Sequence, residues 1–271
     1  MKEYTGFAAV YDMFMDNVPY DKWAGYLHKL LKSYGVKDGI VLELGCGTGR
    51  MTRIFRSFGY DMIGVDISED MLRIASEQEK DGVAGEILYL NQDMREFELY
   101  GTVAAVYCVC DGMNYITDKD DLLKVFKLVN NYLDPGGVFI FDMNTPYYYK
   151  KILGERTICE NRDEGSFIWE NYFDADTKIN EFDITLYIRR DSKKDSSKKT
   201  KKNEESMTET YEKFEETHFQ RAYSISEVKG LLKKAGLTDI KVYKAMTKEA
   251  PDAKTERVYF AAKEHGKKTE K

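Results

Sequence analysis

The chain has 271 residues but only three histidines and four cysteines. His28, His218 and His265 are too widely spaced to supply metal ligands, so no structural zinc or catalytic metal is expected. Cys46, Cys108, Cys110 and Cys159 contain no Cys-x-x-Cys pair, and three of them lie in or beside apolar strand-like runs. That pattern fits buried free thiols of a reducing cytoplasm better than a disulfide framework. No apolar run approaches the roughly 20 residues needed to span a bilayer. The start, MKEYTGFAAVYD, does not read as a signal peptide, and a cytoplasmic protein without a membrane partner is expected. A formal charge of −6 argues against broad nucleic-acid binding. What remains is an ordinary globular composition, 42% hydrophobic and 13% aromatic, long enough for one sizeable core and an insertion.

Residues 39 to 66 organise the rest. Ile40-Val41-Leu42-Glu43-Leu44 is a short, partly β-branched apolar run and reads as a buried strand. It breaks into Gly45-Cys46-Gly47-Thr48-Gly49. Met51, Ile54, Phe55 and Phe58 then recur at helical spacing, Gly59 ends the helix, and Met62-Ile63-Gly64-Val65 is a second strand closing on Asp66. Strand, glycine turn, helix, strand and acid make a mononucleotide-binding βαβ unit. The glycines allow close backbone approach to a ligand, and the acid can accept from ribose hydroxyls. A dinucleotide fingerprint needs Gly-x-Gly-x-x-Gly, but here the third glycine comes one place early and Arg50 occupies the final position.

With Glu43 two residues ahead, Glu-x-Gly-x-Gly-x-Gly resembles the first motif of class I S-adenosylmethionine-dependent methyltransferases. The resemblance implies S-adenosyl-L-methionine as cofactor, with S-adenosyl-L-homocysteine as product. It implies that the glycine loop, with Glu43, Gly45, Cys46, Gly47 and Gly49, packs on the methionine part while Asp66 holds the ribose. By the same resemblance, Ile67 and Met71 after the second strand, and Met94 and Cys110 in later loops, are expected to be the accompanying cofactor contacts.

Around this unit the chain alternates strand and helix. Tyr4, Phe7, Tyr11 and Phe14 make an aromatic opening that admits two readings: a helix packed on the core, or a lid over the cofactor. Tyr4-x-x-Phe7-Ala8-x-x-Tyr11-Asp12 resembles the start of many bacterial small-molecule methyltransferases, where such a segment closes over the sulfonium. Tyr11 could then offer a cation–π contact. Residues 1–35 are expected to form this helical lid, with Asp21 capping the helix that carries Trp23, Leu27, Leu30 and Leu31. Ile87–Leu90 is a third strand, after which Asp93 is either a turn residue or the acid that meets adenine in the resembled family. Val103–Val109 is the fourth strand, leading into Asp111, Asn114 and Tyr115. These are candidate acceptor-side groups at the switch point of a doubly wound sheet, or simply a capped polar loop. Asp118–Leu133 is a helix stopped by Pro135-Gly136-Gly137, and Val138–Met143 is the fifth strand.

From 147 to 223 the period changes to strand alternation. Phe167–Phe173 and Ile179–Arg189 form a hairpin; Asp191–Ser206 is a solvated or disordered tip, and Glu209–Arg221 returns. On the returning strand Phe214, Glu216, His218 and Gln220 share a face opposite Tyr211, Phe219 and Arg221. Ser224-Ile225-Ser226-Glu227 is a capping box, and two final strands follow.

The expected fold is α/β: a Rossmann-like, doubly wound seven-stranded sheet with a terminal antiparallel pair, over 1–146 and 224–263. An antiparallel insertion at 147–223 covers the acceptor site, and 264–271 is a frayed tail. The expected function is methyl transfer to a small-molecule acceptor, an amine or other small metabolite, by a monomer or homodimer. His218 is the candidate base, though a lone strand histidine can be structural, and Phe214 lies beside it as an acceptor contact. An RNA-associated methyltransferase, a non-catalytic cofactor-binding protein and an NAD-dependent oxidoreductase are the alternatives.

Overall fold

The structure, a computed structural model, describes residues 11–79, 87–190 and 209–267. The N-terminal residues 1–10, with Tyr4 and Phe7, and the 191–206 hairpin tip lie outside the described residues. A helical turn, α1 (Tyr11–Phe14), precedes α2 (Tyr20–Ser33), which starts behind Pro19. Asp21 is therefore not the cap but a first-turn residue, where a carboxylate still meets the positive end of the helix dipole. Ala24, Leu27 and Leu31 of α2 are buried with Val41, Met51 and Phe55. That apolar stripe makes α2 part of the body, not part of a lid over residues 1–35.

The βα alternation continues through β1 (Ile40–Leu44), α3 (Arg50–Ser57), β2 (Asp61–Asp66), α4 (Glu69–Glu79), β3 (Leu88–Asn91) and β4 (Val103–Cys108). Then come α5 (Lys119–Tyr132) and β5 (Leu133–Asn144), which runs through Pro135-Gly136-Gly137. Asp118 caps α5 by accepting from the amides of Asp120 and Asp121. The inserted strands are β6 (Thr157–Asn161), β7 (Gly165–Asp174), β8 (Ile179–Arg189) and β9 (Tyr211–Arg221). The chain finishes with α6 (Ile225–Lys234), β10 (Thr238–Lys244) and β11 (Arg257–Lys263).

Seven strands form one sheet in the order β10-β11-β5-β4-β1-β2-β3. The pairs from β5 to β3 are parallel, and β11 is antiparallel to both β5 and β10. Strand alternation sorts the two faces. Val138 and Ile140 pack with α2 and α3, whereas Phe139 and Phe141 pack with α5 and α6. β1 lies between β2 and β4, so the chain direction across the sheet reverses beside it, and the carboxyl ends of β1 and β4 flank the crevice.

The insertion is a separate antiparallel sheet, β6-β7-β8-β9. β6 and a π-helical turn at Tyr148–Leu153 have no counterpart in the sequence expectation. TICEN offers too few apolar residues to signal a strand, and β6 forms by pairing with β7. On the face turned toward the body, Phe182, Ile184 and Leu186 are buried against Phe14. The expected frayed tail is corrected for 264–267. Glu264 is buried and accepts from Gly136 N at 2.7 Å, while Lys267 Nζ donates to the carbonyls of Asn130, Asn131 and Leu133. Those carbonyls end α5, where a cation is favoured. Residues 268–271 lie outside the described residues.

Candidate active site

Gly45, Gly47 and Gly49 all take left-handed φ values, +71°, +52° and +72°. The amides of Gly45 and Cys46 both donate to Val65 O, at 2.8 and 3.0 Å, which folds the loop back against β2. Asp66 completes the bend: Oδ2 accepts from Gly47 N and Oδ1 from Ser68 N, each at 2.8 Å. Burial raises the Asp66 carboxyl above its ordinary range, and the Ser68 and Gly47 amides oppose that shift. Each carboxylate oxygen retains a second acceptor direction.

The glycines have different tasks. A Cβ on Gly49 would run into the Tyr89 hydroxyl and lie 3.0 Å from Ala75 Cβ, so this glycine lets α3 seat against the neighbouring elements. A Cβ on Gly47 would meet nothing within 4 Å. The backbone there borders open space that a side chain would fill, and this is the cradle a close-lying cofactor requires. Gly45 faces Met94, whose Cε would lie 3.6 Å from an added Cβ.

Glu43 is buried below the loop, with Thr52 Oγ1 and Tyr107 OH both donating to its Oε2, the latter at 2.9 Å. Burial pushes its carboxyl up to about 8 despite those donors. Its described partners are these two hydroxyls, so it braces the start of the loop from beneath. Burial likewise raises the Cys46 thiol, with Asp66 and Glu43 adding to the shift. Met71 is buried, whereas Ile67 is 57% exposed. Ile67 and Asp93 line one pocket of about 590 Å³ at the carboxyl ends of β2 and β3, with Asn91, Gln92, Glu96 and Glu98. Asp93 is also held by Arg95, which keeps its carboxyl below the ordinary range although burial works the other way. A second pocket, about 540 Å³, opens among Thr145, Ser226, Lys229 and Asp252, and no glycine-loop residue lines it.

α1 crosses this end of the sheet. Burial, then the nearby Cys110, Tyr20 and Tyr115, raise the Tyr11 phenol. Arg50 lies over the Tyr20 ring, 4.5 Å from its centroid. Cys110 and Asp111 are consecutive non-glycine residues with φ of +61° and +54°. Such a conformation costs roughly 1–2 kcal/mol per residue and needs outside support.

The support comes from Asp142, Arg257 and Gln220. Asp111 N donates to Asp142 Oδ1 at 2.9 Å, Arg257 Nη2 reaches Asp111 Oδ1 at 2.7 Å, and Arg257 Nη1 pairs with Asp142. Gln220 Nε2 donates to Asp111 Oδ2 at 2.6 Å, and Tyr149 OH donates to Gln220 Oε1 at 2.9 Å. Burial alone would lower the Arg257 guanidinium, but Asp142 and Asp111 hold it well above its ordinary value. Sequence reasoning missed Asp142 and Arg257. The visible signal was a charged residue in the otherwise apolar Phe139-Ile140-Phe141-Asp142-Met143 run.

The acceptor-side candidates separate. Asn114 is fully buried: its Nδ2 donates to Arg221 O at 2.8 Å and its Oδ1 accepts from Asn144 N at 3.0 Å. It is a joint between the fourth-strand loop and the inserted sheet, in keeping with the capped polar-loop reading of Asn114 and not with the acceptor-side one. Tyr115 and Phe214 pack on the inner face of the insertion. His218 is 1% exposed, stacked on Phe182 at 4.9 Å, edge-on to Tyr115 at 5.9 Å, with Nε2 3.2 Å from Glu216 Oε2. Arg221 turns away and donates to Thr117 O at 3.1 Å.

A family model described as a methyltransferase domain matches residues 41–137. YqeM of Bacillus subtilis (strain 168), a provisionally assigned methyltransferase, is 31% identical over 260 residues, covering 96% of both proteins. The crystal structure of an S-adenosylmethionine-dependent methyltransferase from Clostridium acetobutylicum ATCC 824 aligns with a TM-score of 0.81 and 28% identity, covering 97% of this chain and 99% of that one. The dTDP-3-amino-3,4,6-trideoxy-alpha-D-glucopyranose N,N-dimethyltransferase of Streptomyces venezuelae is 28% identical over 152 residues, covering 55% of this chain and 60% of that protein.

Proposed function

This chain belongs to the class I S-adenosylmethionine-dependent methyltransferases, and from that premise we propose that it methylates the nitrogen of a small-molecule amine. Membership removes the oxidoreductase and non-catalytic alternatives. The cofactor, S-adenosylmethionine, supplies when bound an electrophilic methyl group on a sulfonium. Asp66 holds the ribose, Ile67 and Asp93 receive the adenine, and the bare Gly47 backbone accepts the methionine part. Tyr11 borders the sulfonium from α1.

The observation that carries the small-molecule reading is the Gln220–Asp111 contact of 2.6 Å, which seats the inserted sheet on the strained turn after β4. A sheet closed on that point favours a compact acceptor over a polymer and excludes water from the transfer. The named substrate of the Streptomyces venezuelae relative, an aminosugar nucleotide, supports nitrogen as the methylated atom. An amine must shed a proton before or during attack. His218, backed by Glu216, accepts it, and the imidazolium so formed keeps that carboxylate as its counter-ion. Incubation with methyl-labelled cofactor and panels of amines, hydroxy compounds, carboxylates and tRNA tests the reading. Label on an amine nitrogen is expected; label on RNA, on oxygen or on carbon alone overturns it.

A further inference from the structure

The inner face of the inserted sheet carries polar atoms that no described residue satisfies. The Glu216 side chain is 9% exposed, and among the described residues its one ion-pair partner is His218, which meets Oε2. Its other oxygen, Oε1, is buried and accepts no hydrogen bond from any of the described residues. A buried carboxylate oxygen without a donor bears its full desolvation cost, which is largest for a charged group. Among the described residues, Trp169 Nε1 is likewise buried without an acceptor and Asn180 Oδ1 without a donor.

Register places these groups on one surface. Glu216 is opposite Ile184 and Ile184 is opposite Trp169, so the indole and the carboxylate share a row two strand spacings apart, roughly 10 Å. Aromatic rings fill the neighbouring positions: Phe182 stacks on His218 and lies 5.3 Å from the Trp169 ring, and Tyr115 closes on His218 from the body. A carboxylate with an uncommitted oxygen among aromatic faces is the arrangement that selects an organic cation. An ammonium group gains a charge-assisted hydrogen bond and ring contacts together.

We propose that Glu216 is the specificity residue of the acceptor site. It takes the acceptor's ammonium group on Oε1, so the acceptor enters as an amine cation whose apolar body lies against Phe182 and Trp169. This deepens the amine reading above and rests on it. His218, beside the same carboxylate, is then next to the proton that must leave the nitrogen.

The test reads binding and not turnover. Benzylamine and its uncharged isostere benzyl alcohol are titrated by calorimetry into the protein saturated with S-adenosylhomocysteine. Benzylamine should bind at least tenfold more tightly than the alcohol. Glu216→Gln should weaken benzylamine at least tenfold, while leaving the alcohol and S-adenosylhomocysteine within twofold. Glu216→Asp, which keeps the charge, should retain the amine preference at reduced affinity. It also serves if the glutamine variant does not fold. Equal binding of amine and alcohol to the wild type, no binding of benzylamine, or an amine preference that survives Glu216→Gln overturns the proposal. Methyl label found on RNA, oxygen or carbon would instead sink the amine reading, and that is scored in the labelling experiment.

Discussion

Thr48 Oγ1 donates to Asp12 Oδ1 at 2.8 Å, tying α1 directly to the glycine loop. Gln78 Nε2 reaches the other Asp12 oxygen at 3.0 Å. At the far end of the same segment, Arg162, in the turn between β6 and β7 of the insertion, donates to Met13 O at 2.6 Å and pairs with Asp16 at 2.8 Å. α1 is thus fastened to the cofactor loop on one side and to the insertion on the other. Thr48→Val removes the first fastening while conserving volume. Loss of one hydrogen bond of ~1 kcal/mol should speed dissociation of S-adenosylhomocysteine about fivefold in stopped-flow measurements. Asp12→Ala, which also releases Gln78, should speed it at least as much, and the double variant should do no more than Asp12→Ala alone. Unchanged dissociation in both would mean that α1 does not retain the cofactor.

Gly47→Ala and Gly49→Ala should fail in different ways. Both positions are left-handed, which disfavours alanine by roughly 1 kcal/mol. At Gly47 the new methyl enters open space, so the variant should fold and lose cofactor affinity by calorimetry. At Gly49 the methyl collides with Tyr89 and crowds Ala75, so the main effect should be a lower Tm. A Gly47→Ala protein that binds normally would place the cofactor elsewhere.

Asp66→Asn should weaken cofactor binding by about 1–3 kcal/mol through loss of charged hydrogen bonds. One of the amides now facing carboxylate oxygens, Gly47 N or Ser68 N, would face an NH₂ group instead. Wild-type affinity in the folded variant would exclude Asp66 as the ribose ligand.

Glu43 makes stability depend on pH. Its folded-state carboxyl is pushed up to about 8 by burial, against about 4.3 in an unfolded chain. A raised value means its contribution is fully present below the unfolded pKa and is lost as pH rises through the folded one. Between about pH 4.3 and 8 the unfolded chain releases this proton more readily, so stability falls by up to roughly 1.4 kcal/mol per pH unit from this group. Glu43→Gln should remove that slope. Denaturant titrations at pH 5 and pH 8 should show the variant gaining on the wild type at the higher pH; parallel curves would refute the burial effect.

Neighbouring residues of β9 should differ in kind. His218→Ala should cut the rate of methyl transfer on the true acceptor while leaving S-adenosylhomocysteine binding near wild type. Arg221→Ala removes the bond to Thr117 O and the contact over the Tyr223 ring, 5.4 Å from its centroid, so it should lower stability by about 1–2 kcal/mol. A folded but inactive Arg221→Ala beside a fully active His218→Ala would reverse the assignment of the two faces.

Local period and short spacing carried much of this protein in its sequence. The order of strands and helices from Ile40 to Met143, the left-handed glycine trio and the acid at 66 all follow from patterns within a few turns of chain. The same holds for the pairing of Phe214, His218 and Gln220 on one face of β9, because a two-residue period does not depend on what the strand packs against. Tertiary structure alone decided which polar groups meet. Asp111, Asp142 and Arg257 are separated by up to 146 residues and converge only because β5 lies between β4 and β11. Asn114 could be read as an open amide until Asn144 N and Arg221 O came within bonding distance of it. Trp169 and Glu216 share a row through strand register, and a shift of one residue would turn either away. Spacing along the chain encodes the elements, whereas strand order and register, set by burial of both sheet faces at once, bring distant charges into one site.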